Sequence, residues 1–348
     1  MIMKSRIKKS IICKHIEEYK INRLYNRTYQ PKAGDVAIFR VLSIGKSKTI
    51  QNAEGKNSYI FPGDMIMATF GNRYASNQFE GYVPEGYQEE YHLLGQGGVV
   101  GIVTSTHAKI ALKGPTRLKL VGYATHGGPR VINTQYMTEK RVSFDHVRPR
   151  SYKTILSLGA SMDSGKTTTA AYLCRGLRNG GHQVAYIKLT GTVYSKDKRF
   201  VKDCGAHRVI DFSALGFPST YMYGLQDILD IYEGLTRKVE KMKPDFLVVE
   251  IADGLLQRET RMLLENPAFR SVIDEVIFSC GDSLSVLSGL DYLENLGLSP
   301  FAVSGLINTS PLMVDEVRNS VSVPLLNLDN LMDRKVDRFL LKRRPKIA

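Results

Sequence analysis

Cysteine is scarce in this chain of 348 residues: Cys13, Cys174, Cys204 and Cys280 are scattered, with no close pair and no metal-type spacing. That pattern predicts reduced, mostly buried thiols and a cytoplasmic location. The seven histidines are equally dispersed, so a zinc site has no support. No apolar run reaches the roughly 18 residues of a membrane helix, and no membrane span is expected. The start, MIMKSRIKKSIICKHIEEYK, is basic but lacks an uninterrupted apolar core and a small-residue cleavage site. Glu17 and Glu18 also argue against a transit peptide, so no targeting signal is read there. Internal repeats and low-complexity segments are lacking as well.

Acids are outnumbered, 34 against 48 Lys and Arg, for a net charge of +14. The excess is uneven: residues 1–30 and 31–150 carry +6 each, 151–330 carry −3, and 331–348 carry +5. Such asymmetry favours an anionic partner, either nucleic acid or an acidic protein face. The plainer alternative is a solubilising surface with a disordered basic tail.

The length exceeds what one core usually holds and predicts two domains. Residues 1–30 form a basic segment in which Ile7, Ile11, Ile12, Ile16 and Tyr19 recur at helical spacing, predicting a short amphipathic helix. From Pro31 to about 135, short β-branched runs punctuated by Gly and Pro predict a small β-barrel or sandwich. An oligonucleotide-binding type of barrel is one candidate. Within it, the loop GNRYASNQFEGYVP (71–84) carries Arg73, Tyr74, Phe79 and Tyr82. Such a set could stack bases, or its rings could pack over the barrel mouth. Residues 136–152 read as a charged linker. Residues 153–330 then alternate β and α elements, predicting a doubly wound, mostly parallel α/β sheet with ligands at the carboxyl ends of its strands. Residues 331–348 read as a basic tail.

The stretch SLGASMDSGKTTTAAY (157–172) carries the chemistry. An apolar strand precedes it, a helix-forming run follows, and Gly165-Lys166-Thr167 sits at the junction, with Ala160 where a phosphate loop has its first glycine. Backbone N–H groups from Ala160, Ser161, Met162, Asp163, Ser164, Gly165, Lys166, Thr167 and Thr168 could wrap a phosphate at the positive end of the helix. Lys166 would bridge the β- and γ-phosphates, and Thr167 would hold Mg²⁺. DFLVVEIADG ends a later strand in Glu250, an acid placed to bind the same Mg²⁺. IKLTGT ends another in Lys188, which could reach a γ-phosphate or an acidic substrate.

In this order, GASMDSGKTT, IKLTGT, VVEIADGL and SGLINTS resemble four motifs of dethiobiotin synthetase across residues 154–310. They are also similar to related ATP-dependent amide ligases and molybdopterin-guanine dinucleotide adaptor ATPases, P-loop proteins of the SIMIBI class. The resemblance implies phosphate contacts from Lys166 and the 160–167 backbone, Mg²⁺ at Thr167 and Glu250, and a substrate or γ-phosphate role for Lys188. It implies a base contact by Asn308, a further metal-site Asp at Asp203 or Asp211, and a homodimer or higher homo-oligomer. Leu189 replaces the family's proline, the double glycine after the glutamate is reduced to Asp253-Gly254, and the family has no β domain in front. Dethiobiotin synthesis itself is therefore not expected. Ser161, where the ParA-like branch has its signature lysine, disfavours that branch. Two activities follow as expectations. One is ATP- and Mg²⁺-dependent activation of a carboxylate or carbamate by phosphorylation, with a small acid or amine as the substrate molecule. The other is a regulatory ATPase whose nucleotide state controls what the basic β domain binds.

Overall fold

The β-branched runs of the first half pair as strands, and the alternating second half forms a parallel sheet between helices. A computed structural model describes residues 7–138 and 141–341. The chain divides into two units, the first comprising residues 1–140, 191–195 and 212–223, the second the remainder. The boundary expected near residue 153 is therefore not a single cut. Two excursions of the later chain belong to the first unit.

The first unit contains β1 (Ile7–Lys9), β2 (Lys20–Asn22), β3 (Val36–Ser43), β4 (Thr49–Gln51), β5 (Asn57–Tyr59), β6 (Met65–Phe70), β7 (Phe79–Tyr82), β8 (Tyr91–Gly95), β9 (Val99–Thr106), a single helical turn α1 (Ala108–Ala111) and β10 (Thr116–Thr125). Strands β6, β3, β10, β8 and β9 pair in that order, and β9 pairs back to β6 through Thr69–Val99 and Phe70–Val100. This closes a small barrel, which removes the open edges that a flat sheet would expose. Phe39, Phe70, Tyr91 and Tyr123 fill it, the first three rings meeting edge to face with centroids 5.5–5.7 Å apart. Burying such rings together with aliphatic side chains such as Ile66, Leu93, Val100 and Leu118 drives the folding of a barrel of this size.

Among the described residues 7–30, the expected amphipathic helix is not formed. Ile7 lies on β1, which runs parallel to β6, and β2 pairs antiparallel to β10. Ile12, Ile16 and Tyr19 are buried, Ile12 in a 3-10 turn and Ile16 and Tyr19 in the irregular segment between β1 and β2. Four β-branched isoleucines lose little by adopting strand geometry, and the barrel's pairing overrides a weak helical period. The loop at 71–84 spends its side chains internally. Arg73 donates to the Leu94 carbonyl and to Gln78 Oε1, and Phe79 is fully buried. The Tyr82 hydroxyl donates to Glu80 at 2.6 Å and lies 3.0 Å from that of Tyr221. These rings pack within the unit, the second of the two expectations.

In the second unit, β11 (Lys153–Gly159), β12 (Val184–Lys188), β13 (Arg208–Asp211), β14 (Phe246–Glu250), β15 (Glu275–Ser279) and β16 (Ala302–Ser304) form one sheet in the order β13-β12-β14-β11-β15-β16, all parallel. The helices are α2 (Lys166–Asn179), α3 (Ser195–Cys204), α4 (Leu225–Glu240), α5 (Arg258–Glu265), α6 (Pro267–Arg270), α7 (Ser283–Asn295), α8 (Pro311–Arg318), α9 (Leu328–Met332) and α10 (Arg338–Leu341). This is a P-loop NTPase-like α/β fold, as the alternation of elements implies. Strand β11 lies between β14 and β15, so the loop at its carboxyl end is central in the sheet, where such folds bind ligands.

Two segments expected to be peripheral are integral to this unit. The stretch read as a linker packs on α4, with Arg148 and Arg150 both paired to the buried Glu233. The expected tail extends the core, where Leu331, Val336 and Leu340 are buried. Residues 342–348 lie outside the described residues. Among the described residues, no helix is long and apolar enough to cross a membrane.

Candidate functional site

The loop from β11 to α2 is shaped by two glycines. A Cβ on Gly159 would lie 2.3 Å from Ser164 Oγ and 2.5 Å from Lys166 Cγ, so only glycine lets the loop fold back this tightly. Gly165, the N-cap of α2, has a φ of 98°, a left-handed conformation that favours glycine. The close approach thus falls one residue earlier than in the usual motif, at Gly159. Ala160 is accommodated with its amide donating to the Ser279 carbonyl at 2.9 Å.

No side chain caps α2 at Gly165, and its first turn carries no acid. The orphan N–H groups of that turn and the helix dipole therefore have no anionic partner from the N-cap. Buried beneath the loop, Ser164 Oγ has no hydrogen-bond partner. Uncapped amides, an orphaned hydroxyl and a lysine at the same turn are the features a phosphate group would satisfy.

A cleft of about 560 Å³ opens here, lined by Met162, Asp163, Gly165, Lys166, Thr167 and Thr168 from the loop and helix. The other predicted loop residues sit beneath or beside it: Ala160 against β15, Ser161 with its carbonyl accepting from Lys166 Nζ at 2.6 Å, and Ser164 buried. Burial pushes the Lys166 ammonium below the usual lysine range, with Glu250 and Asp253 pulling the other way.

Facing the loop, the carboxyl ends of β12 and β14 bring Lys188 and Glu250 side by side in register. Glu250 is 1% exposed. Its Oε1 accepts from Thr167 Oγ1 at 3.0 Å and lies 3.2 Å from Lys188 Nζ, while its Oε2 accepts from the Tyr186 hydroxyl at 2.9 Å. Lys188 also donates to Asp197 in the first turn of α3. Burial alone would lower the pKa of Lys188. The Glu250 and Asp197 carboxylates more than offset that and hold it well above the ordinary lysine range. Burial, then the neighbouring carboxylates, push the Tyr186 hydroxyl well above its usual value, so it stays a donor to Glu250.

Three sequence-level assignments fare differently. Asp203 is exposed on α3 and does not line the cleft, and the alternative Asp211 is buried against Lys198 at 2.9 Å. The acid that α3 brings to the cleft is Asp197, from a Lys-Asp-Lys run whose charges alone say nothing about their direction. Helical geometry is the reason: Asp197 and Asp203 are six residues apart, so they project to different sides of α3. Asn308 sits in a 3-10 turn whose Leu306 lines the cleft, and its side-chain amide donates to the Leu326 carbonyl at 3.2 Å. Two further contributors were not singled out from sequence. Tyr186 lies two residues before Lys188 on β12, so the strand's period of two places both on one face. Thr190 donates to the Ala252 carbonyl at 2.8 Å and accepts from the Ala252 amide at 2.9 Å, pinning the turn after Glu250. Among the described residues, no group of three or more His, Cys, Asp or Glu gathers as a metal cluster. Any divalent ion here would be held by the Thr167–Glu250 pair together with a phosphate ligand, which is how Mg²⁺ usually binds.

No protein-family model matches the chain, and no curated protein matches it. Among solved structures, it is similar to the signal recognition particle receptor FtsY from Elizabethkingia anophelis in complex with GDP. That match has 14% identity and a TM-score of 0.40, over 56% of this chain and 66% of that one. It is also similar to the signal recognition particle 54 kDa protein from Aeropyrum pernix K1 in complex with GDP, at 20% identity and a TM-score of 0.38, over 56% and 47%. FtsY from Mycoplasma mycoides matches at 12% identity and a TM-score of 0.37, over 60% and 72%. The chain spans less than two thirds of the length of the first two of these structures. The features that a phosphate would satisfy lie in the chain's own geometry around Lys166, Thr167 and Glu250.

Proposed function

We propose that this chain binds ATP with Mg²⁺ in the cleft at the end of β11 and hydrolyses it or transfers its γ-phosphoryl group. The observation that supports this most is the Thr167–Glu250 hydrogen bond beside Lys166, at a helix start with no side-chain cap. When bound, Mg²⁺ supplies charge neutralisation at the phosphate oxygens. The chain's own residues do the rest. The loop amides and Lys166 bind and orient the phosphates, Thr167 and Glu250 hold the ion, and Lys188 stabilises charge developing on the γ-phosphate. Burial favours these roles, because an ion–phosphate contact is stronger in a cleft that excludes water. Asn308 does not itself line the cleft and its amide donates to the Leu326 carbonyl, so its assignment to the base rests on the motif resemblance alone. ATP leads over GTP because INTS lacks the Asn-Lys-x-Asp arrangement that reads guanine in many GTPases.

Within this reading, the group of enzymes resembling dethiobiotin synthetase gives the substrate class, a small acid or amine activated by phosphoryl transfer. A turnover assay with purified protein tests it. Turnover only on adding such a molecule supports transfer. Full hydrolysis with no small molecule, stimulated by polynucleotide or by a protein, replaces transfer with a regulatory ATPase. Absence of nucleotide binding defeats both.

A further inference from the structure

A cation already sits on the oxygen that a metal would need. Glu250 Oε1, the atom bonded to Thr167 Oγ1, is also the atom 3.2 Å from Lys188 Nζ. The Lys188 side chain is only 13% exposed, and its second partner, Asp197, is held on a separate element, α3. The cleft wall carries four carboxylates, Asp163, Asp197, Glu250 and Asp253, against three ammonium groups, Lys166, Lys188 and Lys196. Removing one ammonium from that set would leave Glu250 buried without its nearest positive charge, a situation proteins avoid.

From this arrangement we infer that Lys188 is a displaceable internal counter-ion, which keeps divalent metal off Thr167 and Glu250 until a triphosphate arrives. The inference rests on the nucleotide reading above and adds a regulatory step to it. Two like charges on one carboxylate oxygen repel each other strongly in a poorly solvated site. Metal alone, bringing no negative charge, must evict Lys188 at full electrostatic cost. Metal arriving with a polyphosphate brings the anion to which the Lys188 ammonium can transfer. Glu250 then passes from Lys188 to the metal, and Lys188 passes from Glu250 to the γ-phosphate. Asp197 remains its second partner, so the first turn of α3 is drawn along with the lysine. Metal and nucleotide would therefore bind together, and α3 would report the event.

Mn²⁺ binding to nucleotide-free protein, followed by electron paramagnetic resonance, tests this without any turnover. Wild-type protein should bind Mn²⁺ weakly. Lys188→Met should bind it at least ten-fold more tightly, and Lys188→Met with Glu250→Gln should lose that gain. Equal Mn²⁺ affinity in wild type and Lys188→Met overturns the inference, as does a gain that survives the Glu250 change. Lys188→Gln, which is one atom shorter but keeps a hydrogen-bond donor, carries the same predictions if the Met variant fails to fold. A parallel titration of wild type with ATP and Mg²⁺ separates the two ideas. No nucleotide binding there defeats the nucleotide reading, and with it the hand-over, whatever Lys188→Met does with Mn²⁺. Nucleotide binding with unchanged Mn²⁺ affinity defeats the inference alone.

Discussion

Two glutamates of the second unit are equally buried and put to opposite uses. Glu233 on α4 is 0% exposed and meets three guanidinium groups, with Arg148 Nε at 2.9 Å, Arg150 Nη2 at 3.2 Å and Arg237 Nε at 2.8 Å. Glu250 at the end of β14 is 1% exposed and meets one ammonium and two hydroxyls. Around Glu233, rigid forked donors fill the carboxylate and fasten residues 141–152 to the helix. Glu250 instead faces a cleft and an uncapped helix start, and its single cation is a flexible lysine shared with another acid. Burial with fixed partners makes a staple. Burial with one shared lysine beside an open cleft is what the proposed site requires.

The largest effect that would break this contrast is on stability. Glu233→Ala takes from the buried Arg150 its carboxylate partner and leaves Arg148 with Glu240 alone, and should cost about 3–5 kcal/mol in denaturant unfolding, with nucleotide affinity unchanged at temperatures where the variant is folded. A loss below about 1 kcal/mol would remove the staple from the account. Glu250→Gln should do the reverse. It keeps the shape and the Tyr186 contact but lowers Mg²⁺-dependent turnover about 100-fold, the scale of losing one preorganised charge partner. Turnover within three-fold of wild type would contradict the assignment of Glu250. Gly159→Ala sharpens the site side: the added methyl meets Ser164 and Lys166, and should weaken nucleotide binding about ten-fold with about 1–3 kcal/mol of overpacking cost. Unaltered affinity would show that the loop has room to spare.

The smallest effect lies in the barrel. His92 Nδ1 accepts from the Val103 amide at 3.0 Å, and burial lowers its pKa below the unfolded value, against an upward pull from Glu90 and with a smaller push from Arg117. A lowered histidine contributes stability that is fully present above the unfolded pKa of about 6.5 and lost as pH falls from there through the folded pKa. The barrel's melting temperature should therefore drop from pH 7 towards pH 5.5, and His92→Gln should drop less over the same range. Identical pH profiles would exclude the histidine as the cause.

Much of the second unit was legible because its signals are local. Alternating apolar runs and Gly165-Lys166-Thr167 mark a strand, a loop and a helix within a few residues of each other. The early Gly159 also had a physical meaning that the structure makes explicit. What was not legible depends on distant partners. Arg148 and Arg150 read as linker charge until Glu233, more than eighty residues later, turns them inward. Asp197 and Asp203 are equivalent in the sequence, and only the direction of α3 separates them. Ile7 to Tyr19 show a helical period, yet the chain on either side of Ile11–Tyr19 pairs with strands β6 and β10, far along the sequence.

The most direct test of the central claim is a calorimetric titration of ATP into wild-type protein and Lys166→Ala, each with and without Mg²⁺. The account predicts saturable binding to wild type that tightens with Mg²⁺, and no detectable binding to Lys166→Ala. Equal affinity in the two proteins, or binding to wild type that is indifferent to Mg²⁺, would contradict it.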